Sequence, residues 1–298
     1  MKLAVLATLS LGIAATAAAS PMPDFHTYSL DRSPAVDAAL QRRVEEIDAQ
    51  LRARWEIPEA QTSVGVFDLR TLRLAWVRPD RIDYAASVPK IAILLGWFAA
   101  HPDSTDLDAT TRHELGLMIK QSDNELAAKF SRQLGLSFIR GVLDRYGLYD
   151  TKTGGGIWLG KHYGKGGERV VDPVGGHSHA ATVRQLLRFY LLLEQDKLVS
   201  PAASAAMRDI FRSPDIPHKE DKFVAGLAGR PGLEIRRKAG WWEDWQLDTA
   251  VVTGPERHYL IVAMVHHARG EEYLRAFAAA VDELLAAKQD AAVERPIP

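Results

Sequence analysis

The chain has 298 residues, of which 47% are hydrophobic and 25% are charged, with 37 Lys and Arg against 38 Asp and Glu. These values are typical of a soluble globular protein, so an intrinsically disordered or collagen-like chain is excluded. The balanced charge gives no reason to expect nucleic-acid binding. The lack of cysteine excludes disulfides, a thiol nucleophile and thiolate zinc sites, so any chemistry must come from Ser, His, Lys and carboxylate side chains.

The first 20 residues predict a signal peptide. Lys2 supplies a positive start, residues 3–15 are mostly apolar but too short to span a membrane, and Ala17 to Ala19 offer a small-residue cleavage site. We therefore expect a protein that is periplasmic or secreted, without stable membrane insertion. The alternative is an uncleaved N-terminal anchor helix, because the uncharged stretch continues to Ala19.

The patterns that follow predict two strands and several helices. Apolar residues at helical spacing from Ser33 to Trp55 predict an amphipathic helix, with Ser33 and Pro34 as its cap and first position. Residues 62–69 and 72–77 predict paired antiparallel strands. Residues 88–100 are apolar on nearly every side, which predicts a helix buried in the middle of the molecule. Further helical patterns lie at about 108–120, 124–134, 137–146, 180–195 and 201–212.

Residues 151–179 predict a long loop, because they contain nine glycines and no helical or strand period. A loop of that length is more often functional than decorative. The chain then predicts strands at 233–241, 246–252 and 258–265 and a helix at 271–287. Since strands lie near both chain ends with helices between them, we predict an α/β (α+β) fold. Its antiparallel sheet is built from both chain ends and packed with helices, beside a mostly helical lobe.

The length and the absence of a Pro-, Gly- or Ser-rich linker in mid-chain favour one large domain. We place a single catalytic domain at 21–298. Its sheet lobe covers about 34–80 and 220–290, and its helical lobe covers about 81–219. We expect it to be a monomer.

Ser87 and Lys90 form the first candidate catalytic motif, at the start of the predicted buried helix. Pro89 suits the first turn, where its missing N–H costs nothing. Lys90 follows Ser87 by about one turn, so both side chains lie on one face. Burial lowers the pKa of a lysine, which lets it accept a proton from a serine hydroxyl. A Ser-x-x-Lys match taken alone is weak, since any short motif recurs by chance.

The second candidate motif is Ser122-Asp123-Asn124, at the junction between two helical patterns. Asn124 is the chain's single asparagine, so its place beside a Ser-Asp pair is a more specific match than the first. The alternative is helix capping, because Ser, Asp and Asn are all favoured N-cap residues.

A lysine on an edge strand would complete the set, and two lysines compete for that place. Lys152-Thr153-Gly154 enters the glycine-rich loop, where no strand pattern would hold its side chain. Lys238-Ala239-Gly240 lies inside a strand pattern that two further strands follow. We therefore select Lys238 and treat Lys152 as a coincidental match.

This ordered set of motifs resembles the penicillin-recognising serine hydrolases, and most closely the class A β-lactamases. The resemblance covers roughly 35–290. It implies that Ser87 is the acylated nucleophile, Lys90 its proton-relay partner and Ser122 the proton donor to the leaving nitrogen. It also implies that Asn124 holds Lys90 and the substrate amide, and that Lys238 supplies positive field near Ser122.

The resemblance further implies an oxyanion hole made by the backbone N–H groups of Ser87 and Trp241, the residue after Gly240. It implies no cofactor and no metal. The expected partner is a small-molecule β-lactam or a peptidoglycan-derived peptide. We predict acyl-enzyme hydrolysis of a β-lactam or related amide. The alternatives are a D,D-peptidase or esterase, and a penicillin-binding sensor that deacylates slowly.

Three departures from the class A pattern affect these expectations. Residues 155–167 contain no carboxylate for the deacylating water, and His162 is the candidate substitute unless it is merely a solvated loop residue. Ala239 replaces the hydroxyl residue that contacts the substrate carboxylate in the family. Ser122 follows Ser87 by only 35 positions, which predicts a more open cleft.

Tryptophans and histidines offer two lesser possibilities. Trp241, Trp242 and Trp245 could line a sugar or aromatic subsite, although core packing or a strand-end turn would explain them equally. The pairs 177/179 and 266/267 place histidines together, but each pair lacks a nearby third ligand for zinc.

Overall fold

The computed structural model describes residues 24–30, 35–102 and 107–286. The predicted signal peptide at 1–20 and the predicted cap at Ser33 and Pro34 lie outside these ranges. Within them, no helix is both long and apolar enough to cross a bilayer.

The predicted antiparallel sheet from both chain ends is confirmed. The strands are β1 (Thr62–Asp68), β2 (Arg73–Val77), β3 (Asp83–Tyr84), β4 (Tyr149–Asp150), β5 (Gly155–Gly156), β6 (Trp158–Leu159), β7 (His179–Ala181), β8 (Glu234–Arg237), β9 (Gly240–Trp242), β10 (Trp245–Gly254) and β11 (Arg257–His266). The main sheet has the order β2-β1-β11-β10-β8, and β9 also pairs with β10. Its first strands therefore pair directly with its last ones, all antiparallel.

The helices largely follow the predicted bounds. They are α1 (Ala38–Arg54), α2 (Lys90–Ala100), α3 (Ala109–Lys120), α4 (Asn124–Leu134), α5 (Leu136–Arg145), α6 (Val183–Glu194), α7 (Pro201–Arg212), α8 (Lys222–Gly226) and α9 (Gly270–Ala286). As predicted, α2 is buried, and each of its residues from Lys90 to Phe98 is shielded from solvent.

Helices cover both faces of the sheet. Apolar side chains of α1 and α9 pack with one face, and α6 and α2 belong to the larger apolar cluster on the other. This explains why every residue of β1 is buried. Gly65 in β1 permits a close approach of α6, since a Cβ there would lie 2.5 Å from Val183 Cγ1. The start of α2, which follows Ser87, is thus held between the sheet and the helical lobe.

Four predicted details were wrong. The strand predicted at 233–241 is interrupted at 238–239, where the Lys238 carbonyl accepts a hydrogen bond from Thr249 Oγ1. The helix predicted at 180–195 starts at Val183, because residues 179–181 form β7 and Thr182 caps the helix. Pro89 precedes α2 instead of occupying its first turn. The loop at 151–179 contains short strands, and β3, β7 and β6 form a small second sheet.

Candidate active site

Ser87 lies in a tight turn between β3 and α2. The Val88 N–H donates to the Ala85 carbonyl at 2.9 Å, and the Lys90 N–H donates to the Ser87 carbonyl at 3.3 Å. Ala86, just before the serine, has a φ of +46°, which is unfavourable for a residue with a Cβ. Such strain persists only where the surroundings impose it, and it is common at functional sites. The turn leaves Ser87 partly exposed while its neighbours are buried.

Lys90 connects the two predicted Ser-containing motifs. Its Nζ donates to Ser87 Oγ at 3.2 Å, to Asn124 Oδ1 at 2.7 Å, and to the Ser122 carbonyl and Oγ at 2.6 and 3.1 Å. Burial lowers the pKa of Lys90 to about 7; among nearby charges, Asp123 opposes this shift and Lys219 adds to it. A large share of Lys90 is therefore neutral near pH 7 and able to accept a proton.

The helix-capping alternative applies to Asp123 alone. Its Oδ1 accepts a hydrogen bond from the Leu126 N–H at 2.8 Å and caps α4. Ser122, with a φ of +59°, and Asn124 instead contact Lys90 on the adjacent helix. Within this motif, Asp123 therefore caps the helix, and Ser122 and Asn124 contact Lys90.

Lys238 lies at the site and Lys152 does not. Lys238 is 1% exposed, and its Nζ donates to Ser122 Oγ at 2.9 Å and to the Ala239 carbonyl at 2.7 Å. Burial, followed by the charges of Lys90 and Arg237, lowers the pKa of Lys238 well below its usual value. Lys152 is exposed on a short 3₁₀ turn. Ser122 Oγ therefore lies between two buried amines.

Gly240 allows β9 to pass directly beside the turn that contains Ser87. A Cβ at this position would lie 2.8 Å from the Ala85 carbonyl oxygen and 3.2 Å from the Ser87 nitrogen. Only a residue without a side chain permits this approach of two backbones. It brings the backbone around Trp241 next to that of Ser87, as the predicted oxyanion hole requires.

The sequence model of the beta-lactamase enzyme family matches residues 101–287, more than half of the chain. The chain belongs to the beta-lactamase enzyme family. Solved structures have the same fold. A beta-lactamase from Sphaerobacter thermophilus DSM 20745 superimposes with a TM-score of 0.66 at 16% identity, covering 82% of this chain and 97% of that one.

Two further solved structures support the same fold. A class A beta-lactamase from Mycobacterium abscessus has a TM-score of 0.63 at 16% identity, covering 82% of this chain and all of its own (100%). PBP-A has a TM-score of 0.61 at 20% identity, covering 82% and 96%. A comparison with proteins of curated function finds no significant sequence match. The family and the fold together support a hydrolase-like function toward β-lactams.

In this beta-lactamase family member, an aromatic ring lies beside Lys90. The ring of Tyr163 is centred 4.4 Å from Lys90 Nζ, and its hydroxyl donates to the Ala86 carbonyl at 3.0 Å. No carboxylate is within hydrogen-bond reach of Lys90 among the residues described, in keeping with the predicted lack of a loop carboxylate. The sequence analysis missed Tyr163, because a single tyrosine in a glycine-rich loop has no pattern that marks it.

The loop itself is held by Asp172. This buried carboxylate accepts backbone N–H groups of Val174, Gly175 and His177 at 2.7–3.0 Å. The same loop holds His162, whose Nδ1 lies 2.8 Å from Ser131 Oγ. His162 is partly buried and lines a cavity together with Ser87.

Two cavities meet at Ser87. One, of about 450 Å³, lies toward Lys238, and the other, of about 400 Å³, lies toward His162. Ser87, Asn124, Trp241 and Trp242 line both of them. The first cavity is strongly cationic, with five Lys or Arg side chains and two carboxylates along its wall: Lys120, Lys219, Lys222, Arg237, Lys238, Asp221 and Glu271.

Arg236 and Arg237, the last two residues of β8, form ion pairs with different carboxylates. Arg237 lines the cationic cavity and is paired with Asp221 at 2.7 Å and Asp248 at 3.1 Å. Arg236 is paired with Glu194 at 2.8 Å, away from the cavity. As expected for consecutive strand residues, only one of the two faces the site.

The three tryptophans differ in their surroundings. Trp241 and Trp242 are 62% and 55% exposed, which excludes core packing for both. Trp245 stacks on His266, with ring centroids 3.9 Å apart. In the described ranges, no three His, Asp or Glu side chains are grouped so that they could hold a metal ion.

Proposed function

We propose that this protein is an exported serine hydrolase that forms an acyl-Ser87 intermediate with a β-lactam or a related amide. The contact of Lys90 Nζ with Ser87 Oγ, in a lysine whose pKa is about 7, carries this proposal. The leader pattern at 1–20 supports a periplasmic or secreted location. The domain limits at 21–298 remain a prediction.

Acylation uses the amine network around Ser122. Neutral Lys90 takes the proton of Ser87 as Oγ attacks the substrate carbonyl carbon. As the C–N bond breaks, Ser122 donates its proton to the leaving nitrogen and regains one from Lys90, 3.1 Å away. Lys238 donates a hydrogen bond to Ser122 Oγ at 2.9 Å, which stabilises this oxygen as it gives up its proton. The N–H groups of Ser87 and Trp241 would stabilise the oxyanion.

The charge of the Lys238 cavity favours an anionic acyl donor. Asp221 is engaged with Arg237 and Lys222, and Glu271 with Arg275. Lys219 lines the same cavity, is exposed, and forms no ion pair with any described carboxylate. Lys219 is thus available to bind a substrate carboxylate, a contact that Ala239 cannot make.

Intact-mass spectrometry with penicillin G tests the proposal. We expect an adduct of the drug's mass on the mature protein and none on Ser87→Ala, whose melting temperature should be nearly unchanged. Surviving labelling of Ser87→Ala would remove Ser87 as the nucleophile.

A penicillin-binding protein or D,D-peptidase is the second candidate function. The Tyr163 ring beside Lys90, where no described carboxylate contacts the amine, favours slow hydrolysis of the acyl-enzyme. A solved relative of the same fold, a mutant of PBP-A, is an acyl-enzyme complex with penicillin G. An adduct that persists for hours would favour this candidate over turnover.

A further inference from the structure

The cavity on the loop side of Ser87 has two imidazoles in its wall, His162 and His179. The Tyr163 ring packs against both Lys90 and His179, since its centroid is 4.4 Å from Lys90 Nζ and 4.6 Å from the His179 centroid. The four oxygen contacts of Lys90 all belong to Ser87, Ser122 and Asn124. Lys90 is therefore poorly placed to activate a water in this cavity.

Hydrogen bonding determines which nitrogen of His162 carries the proton. The buried Ser131 hydroxyl has one hydrogen, and it donates this to the Ala128 carbonyl at 3.3 Å. With that hydrogen directed to Ala128, the imidazole donates in the 2.8 Å contact between His162 Nδ1 and Ser131 Oγ. In this tautomer Nε2 of His162 has no proton and can accept one.

His179 belongs to the same cavity wall but is buried and neutral. The residue is 5% exposed, and its Nδ1 lies 3.1 Å from Ser178 Oγ. Burial, followed by the charge of Lys161, lowers the pKa of His179 to about 4, so the ring is neutral at pH 7. His162, which is partly exposed, is therefore the imidazole that a water in this cavity can reach.

We propose that this cavity binds the deacylating water and that His162 Nε2 is its general base. The inference rests on the proposed acylation of Ser87. Water loses a proton to His162 as its oxygen bonds to the acyl carbon. The tetrahedral intermediate collapses with cleavage of the bond to Ser87 Oγ, which takes the proton back from His162. The product is the free acid, and both side chains are restored.

The charged groups around His162 are all cationic: Arg132 on α4, and Lys161 and Lys165 on the loop. The other titratable groups of the cavity wall are Tyr84, Tyr163 and His179. Burial, and then Arg132, lower the pKa of His162 below 6.5. A base must be unprotonated, so the deacylation rate should rise with pH through the pKa of His162, which is below 6.5. At higher pH the rate should be constant.

The lifetime of the acyl-enzyme tests this inference. The full mature protein is labelled with penicillin G and, separately, with p-nitrophenyl acetate, and decay of the adduct is followed by intact mass from pH 5 to 8. We expect His162→Gln to form the adduct at the wild-type rate and to lose it about 100-fold more slowly, without the pH inflection. His113→Gln, an exposed histidine outside the cavity, is the matched control and should behave as wild type.

A second variant separates catalysis from loop structure. His162→Ala with added imidazole should recover part of the deacylation rate, which a purely structural role would not allow. Equal decay in His162→Gln and wild type, or a wild-type adduct that never decays, would overturn the inference and leave acylation intact. No adduct from either reagent would overturn the proposed function, and the inference with it.

Discussion

Gly240→Ala should slow acylation because it separates two backbones that the site holds in contact. The new Cβ would lie 2.8 Å from the Ala85 carbonyl oxygen, 3.2 Å from the Ser87 nitrogen and 3.2 Å from Val88 Cγ2. The Ala85 oxygen and the Ser87 nitrogen are backbone atoms, so no side-chain rotation can relieve these two contacts. Restoring an ordinary contact of about 3.4 Å to the carbonyl requires β9 or the Ser87 turn to move by about 0.6 Å.

This displacement acts on both stability and rate. Overpacking of this kind costs about 1–3 kcal/mol of unfolding free energy. A shift approaching 1 Å in a reacting group costs about 100-fold in rate, so we expect acylation to fall by about 10- to 100-fold. The assays are the second-order rate of adduct formation with penicillin G and the denaturant midpoint.

Gly141→Ala is the control for this substitution. Gly141 lies on exposed α5, has no atom within 4 Å of a built Cβ, and takes no positive φ. Alanine there should stabilise the protein by about 0.5–1 kcal/mol and leave acylation unchanged. An unchanged acylation rate in Gly240→Ala would refute the assigned approach of β9 to Ser87.

Three other predictions concern the lysines. Acylation requires neutral Lys90, so its rate should be low in acid and rise with pH through about 7; a flat profile from pH 5 to 9 would exclude Lys90 as the proton acceptor. Lys238→Ala removes the hydrogen bond that supports proton transfer through Ser122, a step worth about 100-fold, so acylation should fall by about that factor. Lys152→Ala should leave acylation almost unchanged, and the reverse result would show that the wrong lysine was selected. Lys219→Ala should raise KM for an anionic β-lactam and leave it unchanged for its methyl ester; equal effects on both would refute a carboxylate contact.

Motif spacing was sufficient to predict that Ser87 and Lys90 lie together, and the resemblance to the class A β-lactamases implied that Ser122, Asn124 and Lys238 join them. Ser87 and Lys90 are joined by one helical turn, and this local geometry requires no knowledge of the rest of the fold. The choice of Lys238 over Lys152 also came from local pattern, because a strand holds a side chain at a fixed height and a glycine-rich loop does not. The buried α2 was predictable for a similar reason, since its residues are apolar on every side.

Long-range packing determined what the patterns left open. The assignment of capping to Asp123 alone depends on Lys90, which is distant in sequence and donates to the side chain of Asn124, the first residue of α4. The break at Lys238 arises because Thr249 on β10 satisfies its carbonyl through a side chain. Both contacts join residues that are far apart in the sequence, so no local periodicity could predict them.

The main strand segments, the buried helix and the Ser, Lys and Asn motifs follow from the sequence alone, because helix and strand periods and short spacings are local properties. The loop side of the site depends on tertiary contacts. Tyr163 packs against Lys90, Ser131 contacts His162 Nδ1, and His179 is buried. These relations join α2, α4 and the loop, and the shifted pKa values that result come from burial, which exists only once the chain has folded.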